Sequence, residues 1–282
     1  MKELKFAETD ASRLHDYLAS HREVTDLLLT GGDPMVMKTK VIARYLEPLL
    51  GPRFDHVQTI RIGSKSLTFW PQRFVSDADA DELLSLLERL VRAGKHVAFM
   101  AHLNHWREME TDVFQRAVER LHSAGVVIRS QAPLLRHIND NPRVWSTMWR
   151  NQVSLGIVPY YMFVERDTGA RAHFEVPLVR AHEVYTRAIQ RVSGLARTVR
   201  GPSMSAAPGK VEVTGVTEVA GEKVLALRFL QARNPEWVGR PFFARHDEEA
   251  TWLTGLRPAL GEDRWFWQDE FDSMLAARAS VS

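Results

Sequence analysis

The residues with the clearest chemical potential follow apolar runs of the sequence. Gly31, Gly32 and Asp33 come directly after the run Leu27–Leu29, which reads as a buried strand. Glycine has no Cβ, so a ligand can approach the backbone closely there, and Asp33 can accept hydrogen bonds from an ammonium or hydroxyl group. An ordinary strand–helix turn, in which Asp33 caps the next helix, explains the same residues equally well. The motif alone leaves both interpretations open.

Two histidines, His102 and His105, lie in the stretch AHLNHWRE after another apolar run. A metal site would need a third ligand in the pattern, and residues three apart on a strand point to opposite faces. We therefore expect no metal here, and the favoured interpretation is one histidine that contacts a ligand at a strand end.

Lys210 follows Ala-Pro-Gly and directly precedes an apolar alternation, VEV. Most lysines are solvated surface charges, and that interpretation suits this one as well. A lysine held by a tight loop beside an apolar pocket can also lose its proton and form a Schiff base with an aldehyde cofactor.

The elements that would position these residues alternate between helices and short apolar strands. Periodicity predicts strands at 24–30, 56–63, 95–102, 126–131 and 157–164, and helices at 11–21, 38–50, 77–94, 109–125, 141–156 and 178–194. Such alternation indicates an α/β fold with a parallel sheet covered by helices. Polar or glycine residues end nearly every strand, which favours a partial TIM-like (β/α) barrel with one mouth over a doubly wound sheet.

The pattern changes after Gly194. Residues 197–210 read as a loop, residues 211–230 as a β-hairpin, and the remainder as an aromatic tail with four of the eight tryptophans. The predicted domains are therefore a barrel at 1–194 and a C-terminal part at 195–282.

Composition restricts the function classes. Lys+Arg 37 against Asp+Glu 35 gives a net charge of +2, which does not favour nucleic acid or an anionic membrane as a partner. No apolar run approaches the roughly 18 residues of a membrane span, and the sequence MKELKFAETD has no signal-peptide core, so we expect a cytoplasmic protein. The absence of cysteine excludes disulfides, thiolate zinc sites and an iron–sulfur cluster held by this chain's own thiolates.

Taken together, these stretches resemble the lysine 2,3-aminomutase family of radical S-adenosylmethionine (SAM) enzymes. EVTDLLLTGGDP, IRIGSKSLTFWPQR, AHLNHWRE, SQAPLLRHINDN, GIVPYYMF and APGK occur in this order. The resemblance implies a partial radical SAM-type barrel and an aminomutase that uses SAM, a 4Fe-4S cluster and pyridoxal phosphate (PLP). It assigns SAM contacts to Gly31, Gly32, Asp33, His102 and Gln131, and makes Lys210 the PLP-binding catalytic lysine.

Two departures from the family pattern qualify this expectation. The cluster motif Cys-x-x-x-Cys-x-x-Cys belongs upstream of Met1, so the sequence predicts a truncated or cluster-less form. Arg166, with Asp167 one place off, and Ser203 stand where the family has two aspartates for the distal ammonium of lysine. A cation in place of an anion predicts a substrate other than lysine, and an acidic or neutral amino acid suits Arg166 better.

The expected partners are an amino-acid substrate and either a second copy of the chain or a missing cluster-bearing segment. The alternative function is a non-catalytic barrel that binds PLP or a nucleotide, or the partner subunit of a split enzyme. A weaker alternative is a cofactor-free barrel enzyme with Asp33 and His102 as acid and base.

Overall fold

The computed structural model describes residues 10–166 and 170–279. The strands are β1 Asp26–Leu29, β2 Thr59–Ser64, β3 His96–His102, β4 Val127–Leu134, β5 Val158–Val164, β6 Arg200–Ala206, β7 Gly209–Val219, β8 Glu222–Ala232 and β9 Pro241–Arg245. The helices are α1 Ala11–Ser20, α2 Thr39–Leu46, α3 Ser66–Phe69, α4 Ala80–Arg92, α5 Asp112–Ser123, α6 Pro142–Ser154, α7 Arg171–Phe174, α8 Leu178–Ile189 and α9 Gln268–Ala279. Short 3-10 helices follow several strands, as at Pro34–Val36 and Trp106–Met109.

The strands β1 to β4 pair side by side in chain order, and every one of these pairs is parallel. The inner strands are buried, as shown by Ile60, Ile62 and Phe99, all at 0% exposure. In β1, by contrast, Leu28 is 41% exposed. The prediction of a buried strand at Leu27–Leu29 is therefore wrong, because β1 has a neighbouring strand on one side only within the described residues.

The helices that cover these strands follow the predicted amphipathic pattern. In α4, the buried positions Leu83, Leu87 and Leu90 recur every three or four residues. Acidic residues occupy its first turn and arginines its last, which complements the helix dipole. The α/β alternation predicted from periodicity is confirmed here.

The remaining strands change direction. β5 pairs with β6 in parallel, and β6, β7, β8 and β9 then pair antiparallel in chain order. The strand order runs from β1 to β9 without closure. This confirms the predicted α/β class and an open, parallel-rich sheet of the partial-barrel kind.

The predicted loop at 197–210 is wrong, because Arg200–Ala206 forms strand β6 between β5 and β7. Its loop-like composition has a packing reason. A Cβ added at Gly201, where φ is +140°, would lie 2.3 Å from the Met162 carbonyl oxygen, so glycine lets the two strands approach. The hairpin predicted at 211–230 is confirmed and extends to Gly209 and Ala232.

The antiparallel strands have one apolar and one polar face. The apolar face forms an aromatic-rich core that includes Val211, Val213, Phe229, Trp237 and Trp267. The opposite side, called the polar face below, carries Ser203 and Ser205 on β6, Lys210 and Glu212 on β7, and Arg228 on β8.

The outer edge of β9 is covered by a later segment of the chain. Arg245 N–H donates to the Arg257 carbonyl, and Ala259 N–H donates to the Phe243 carbonyl. Pro241, which has no N–H, begins the strand.

The chain divides into two compact units. The first contains residues up to Gln131 together with Asn151–Pro159, and the second contains Ala132–Arg150 and the residues from Tyr160 onward. The predicted division at residue 194 stays a prediction. Within the described ranges, no helix combines the length and apolar character needed to cross a bilayer.

Candidate functional site

The glycine turn after β1 has open space beside its backbone. Gly31 has φ +94° and Gly32 has φ +59°, values that favour glycine strongly over other residues. A Cβ built at either position would meet no atom within 4 Å. The turn therefore leaves room for a ligand to lie directly against the main chain.

Asp33 braces this turn with its carboxylate. Oδ1 accepts hydrogen bonds from Met35 N–H at 3.0 Å and from the Ser64 hydroxyl at 2.7 Å. Oδ2 accepts from Lys65 N–H at 2.7 Å. Asp33 thus caps the 3-10 helix Pro34–Val36 and joins the end of β1 to the end of β2. With three of about four acceptor positions engaged, Oδ2 retains capacity for a ligand donor.

A buried arginine fixes the segment that follows the turn. Arg73 is 1% exposed and donates from Nε to the Met35 carbonyl and from Nη2 to the Met37 carbonyl. Its Nη1 pairs with Asp79 at 2.8 Å, and Asp79 also accepts from Thr39 N–H. These bonds hold the residues after Asp33 in one place.

His102 ends β3 and lies opposite Gln131 in the register of β3 with β4. Its Nε2 bonds to the Asn104 side-chain oxygen at 2.8 Å, which requires Nε2 to carry the proton. Burial, followed by the nearby Lys65 charge, lowers the pKa of His102. The ring is therefore neutral at pH 7 and presents Nδ1 as an acceptor for a ligand hydroxyl or amine.

Glu108 organises the loop after β3, a role that the sequence analysis missed. Its carboxylate accepts from Asn104 N–H at 2.7 Å and His105 N–H at 3.3 Å, and it pairs with Lys65 Nζ at 3.3 Å. His105 accepts from Arg107 N–H through Nδ1 and so caps the helix Trp106–Met109. The spacing His-x-x-Glu was the available signal, because it matches a capping box.

In the second unit, Lys210 lies on β7 with its ammonium against aromatic rings. Its Nζ is 4.3 Å from the Tyr161 ring centroid and 5.4 Å from that of Phe163, and these two rings stack at 5.0 Å. Tyr161 is 5% exposed, and burial raises the pKa of its phenol. The cation–π geometry fixes the direction of the Lys210 side chain.

Ser203 lies on the same face as Lys210, on the neighbouring strand. It is fully buried, and its hydroxyl has no hydrogen-bond partner among the described residues. Ser203 is paired with Glu212, and Glu212 is paired with Arg228, so the three residues form a row across β6, β7 and β8. The Glu212 carboxylate accepts from Arg228 Nε at 2.7 Å and from Gly201 N–H at 3.2 Å.

Of the predicted substrate residues, Arg166 is exposed and follows the end of β5. Asp167 lies outside the described residues. Glu212 and Arg228 were not among the residues predicted from sequence, although the alternation Lys-Val-Glu-Val at 210–213 predicts that Lys210 and Glu212 share a face.

No protein-family model matches the chain. An Aquifex aeolicus protein named for L-lysine 2,3-aminomutase is 32% identical over 254 residues, which cover 90% of this chain and 65% of that relative. The L-lysine 2,3-aminomutase of Escherichia coli is 28% identical over 191 residues, covering 66% of this chain and 53% of the relative. The chain belongs to the lysine 2,3-aminomutase family.

The lysine 2,3-aminomutase family includes relatives with a second named substrate. The glutamate 2,3-aminomutase of Clostridioides difficile is 29% identical over 184 residues, covering 64% of this chain and 40% of that protein. Among solved structures, the radical S-adenosylmethionine methyltransferase TsrM of Kitasatospora setae is 14% identical at a TM-score of 0.36, over 54% of this chain and 30% of that one. This chain spans about half the length of most of the curated relatives that it matches.

The residues present fit two of the three groups expected in the lysine 2,3-aminomutase family. The open glycine turn and the acceptor on His102 suit SAM, and the directed amine of Lys210 suits PLP. An iron–sulfur cluster does not fit the donors of this chain, because its sequence contains no cysteine.

Proposed function

We propose that this chain is the main part of the catalytic domain of a SAM- and PLP-dependent amino-acid aminomutase, an isomerase. The observation that carries the proposal is the amine of Lys210, whose direction is set by contact with the rings of Tyr161 and Phe163. The next residue of β7 on the same face is Glu212, which is buried. When bound, PLP would supply an aldehyde that reacts with amines, and Lys210 would be the residue that holds it.

The glycine turn would bind the methionyl end of SAM. Gly31 and Gly32 leave the backbone accessible, and Asp33 would accept from the ligand ammonium through Oδ2. Neutral His102, with Gln131 beside it in the strand register, would contact the nucleoside hydroxyl groups.

The proposed substrate is an amino acid other than lysine. At the two positions where the family pattern has aspartate, this chain has the exposed cation Arg166 and the buried neutral hydroxyl of Ser203. Neither residue supplies the negative charge that a distal ammonium requires.

A second candidate function follows from the complete absence of cysteine. The chain would then be a non-catalytic barrel that binds PLP or a nucleotide, or a subunit that works with a separate cluster-bearing partner. It would use the same residues for binding, without chemistry of its own.

Reductive trapping tests the PLP part of the proposal. The full chain is incubated with PLP, reduced with borohydride and mapped by peptide mass spectrometry. We expect one labelled peptide, containing Lys210, and loss of the label in Lys210→Arg but not in Lys223→Arg, which alters an exposed lysine on β8. Label spread over surface lysines, with none at 210, would refute the assignment.

Calorimetry with SAM tests the other part and separates the two candidates. Gly32→Ala and Gly94→Ala both place alanine at positive φ with open space around it, so their backbone costs match. We expect only Gly32→Ala to weaken SAM binding. A chain that is labelled at Lys210 but does not bind SAM would favour the non-catalytic candidate.

A further inference from the structure

The charged residues of the polar face indicate a determinant of substrate preference other than Arg166 and Ser203, the two positions where the family pattern has aspartate. Lys210 and Glu212 are two residues apart on β7, and their β6 partners are Ser205 and Ser203. Because side chains alternate along a strand, both project from the face that carries Ser203. An amino acid held at Lys210 would therefore extend its side chain over a surface that includes the row of Ser203, Glu212 and Arg228.

Glu212 supplies the carboxylate nearest to Lys210 along the described strands β5 to β8. The other two in these strands, Glu218 and Glu222, lie at the far turn of the hairpin. Glu212 is 6% exposed, so its charge is poorly screened by water.

Arg228 neutralises that carboxylate. Its Nε and Nη2 both approach Glu212 Oε2 at 2.7 Å, while Gly201 N–H occupies Oε1. The Arg228 side chain is 49% exposed, so the pair joins a buried anion to a cation that reaches the surface. The buried end of the row, Ser203, contributes a hydroxyl without charge.

We propose that the Glu212–Arg228 pair is a specificity-determining device in which Arg228 cancels the negative charge of Glu212, so that the site selects amino acids without a distal ammonium. This inference rests on the proposed function, because it requires an amino acid to bind at Lys210. The preferred side chains are neutral or acidic, and a distal ammonium is disfavoured at this row because its carboxylate, Glu212, is engaged by Arg228.

Two single substitutions shift the charge of the pair in opposite directions. Arg228→Met removes the cation that is hydrogen-bonded to Glu212 and should improve the binding of L-lysine relative to L-norleucine, its near-isosteric neutral counterpart, by about tenfold or more. Glu212→Gln keeps an acceptor for Gly201 N–H but frees the charge of Arg228. It should improve the binding of L-2-aminoadipate relative to L-norleucine by a similar factor.

The measurement is isothermal titration calorimetry on the full chain loaded with PLP, with circular dichroism to check that each variant is folded. The double variant Glu212→Gln/Arg228→Met, which carries no charge at either position, should return both ratios to the wild-type values. Arg245→Met, which removes an exposed arginine at the opposite end of the sheet, is the matched control and should change neither ratio.

Three outcomes distinguish the inference about substrate preference from the proposed function on which it rests. Opposite shifts in the two single variants support the pair as the determinant. If Lys210 is trapped with PLP but both ratios stay at the wild-type values, or if wild-type protein binds lysine best, the inference fails and the proposed function stands. If PLP is not trapped at Lys210, both fail together. Should Arg228→Met not fold, the Glu212→Gln result alone decides.

Discussion

The glycine turn of the first unit and the polar face of the second treat their polar groups in opposite ways. Asp33 accepts three hydrogen bonds from residues of its own unit, and Arg73 fixes the segment that follows. On the polar face, Ser203 is fully buried, yet its hydroxyl has no partner among the described residues. A buried polar group left unpaired costs about 1–3 kcal/mol.

This difference shows what each region is built to do. The turn is organised in advance, so a ligand meets a backbone that is already in place. The polar face instead retains an unpaired hydroxyl and a buried carboxylate, and burial of either group works against stability. Such groups are expected where a chain must recognise a bound molecule and not only pack its own core.

The largest effect is expected from removing the brace of the turn. Arg73→Met removes the donor to two main-chain carbonyls and the cation paired with Asp79, and should lower the free energy of unfolding by about 3–5 kcal/mol. Urea denaturation measures this loss. Arg89→Met, which removes an exposed ion pair with Glu47, is the control and should cost about 1 kcal/mol or less. Equal losses in the two variants would mean that the turn is not braced as described.

The next largest loss of stability is expected where strands β5 and β6 approach each other closely, at Met162 and Gly201. Gly201→Ala places a Cβ 2.3 Å from the Met162 carbonyl oxygen and should lower the free energy of unfolding by about 2–3 kcal/mol. Gly215→Ala on β7 meets no atom within 4 Å and should be nearly neutral. Similar thermal unfolding curves for both variants would contradict the tight pairing of the two strands.

A pair of serine substitutions compares the two regions directly. Ser130 is buried in the first unit, and its hydroxyl donates to the Gln152 side-chain oxygen at 2.7 Å. Ser130→Ala should therefore lower the free energy of unfolding by about 1 kcal/mol or more. Ser203→Ala removes an unpaired hydroxyl, so it should leave stability unchanged or raise it. A loss in Ser203→Ala as large as that in Ser130→Ala would show that Ser203 has a partner after all.

The smallest effect concerns pH. Burial is the main cause that lowers the pKa of His102 in the first unit and of His182 in the second below the ordinary value of 6.5. Between 6.5 and the lowered value the unfolded chain binds more protons than the folded one, so stability falls as pH decreases through this window. Urea titrations from pH 7.5 to 5 should show this slope, at most about 1.4 kcal/mol per pH unit for each histidine. His102→Gln and His182→Gln should each reduce it, and an unchanged slope would contradict their burial.

The sequence predicted what depends on local periodicity. Helix α4 was found because its leucines recur with the helical period, and β3 because VAFMA is a continuous apolar run. Strand β6 was missed because Gly201, Pro202 and two serines are typical of loops. Its strand conformation comes from pairing with β7 and with β5, and β5 ends at Val164, too far along the chain for a local sequence window to include both strands.

The candidate site divides in the same way. Gly31, Gly32 and Asp33 were recognisable because residue type alone limits what a backbone can do at a strand end. Two of the three hydrogen-bond donors to Asp33 belong to Ser64 and Lys65, which lie more than thirty positions later. The Glu212–Arg228 pair likewise depends on a hairpin register with shifts on either side of it, which turn residues alone do not fix.

The coverage of β9 by residues 257–259 limits how copies of this chain could assemble. A strand whose backbone groups are already paired cannot accept another, and a proline at its start removes one more donor. Within the described residues, the other terminal strand of the sheet is β1, which is paired with β2 on one side. A second copy that paired with β9 would first have to displace residues 257–259 from Phe243 and Arg245.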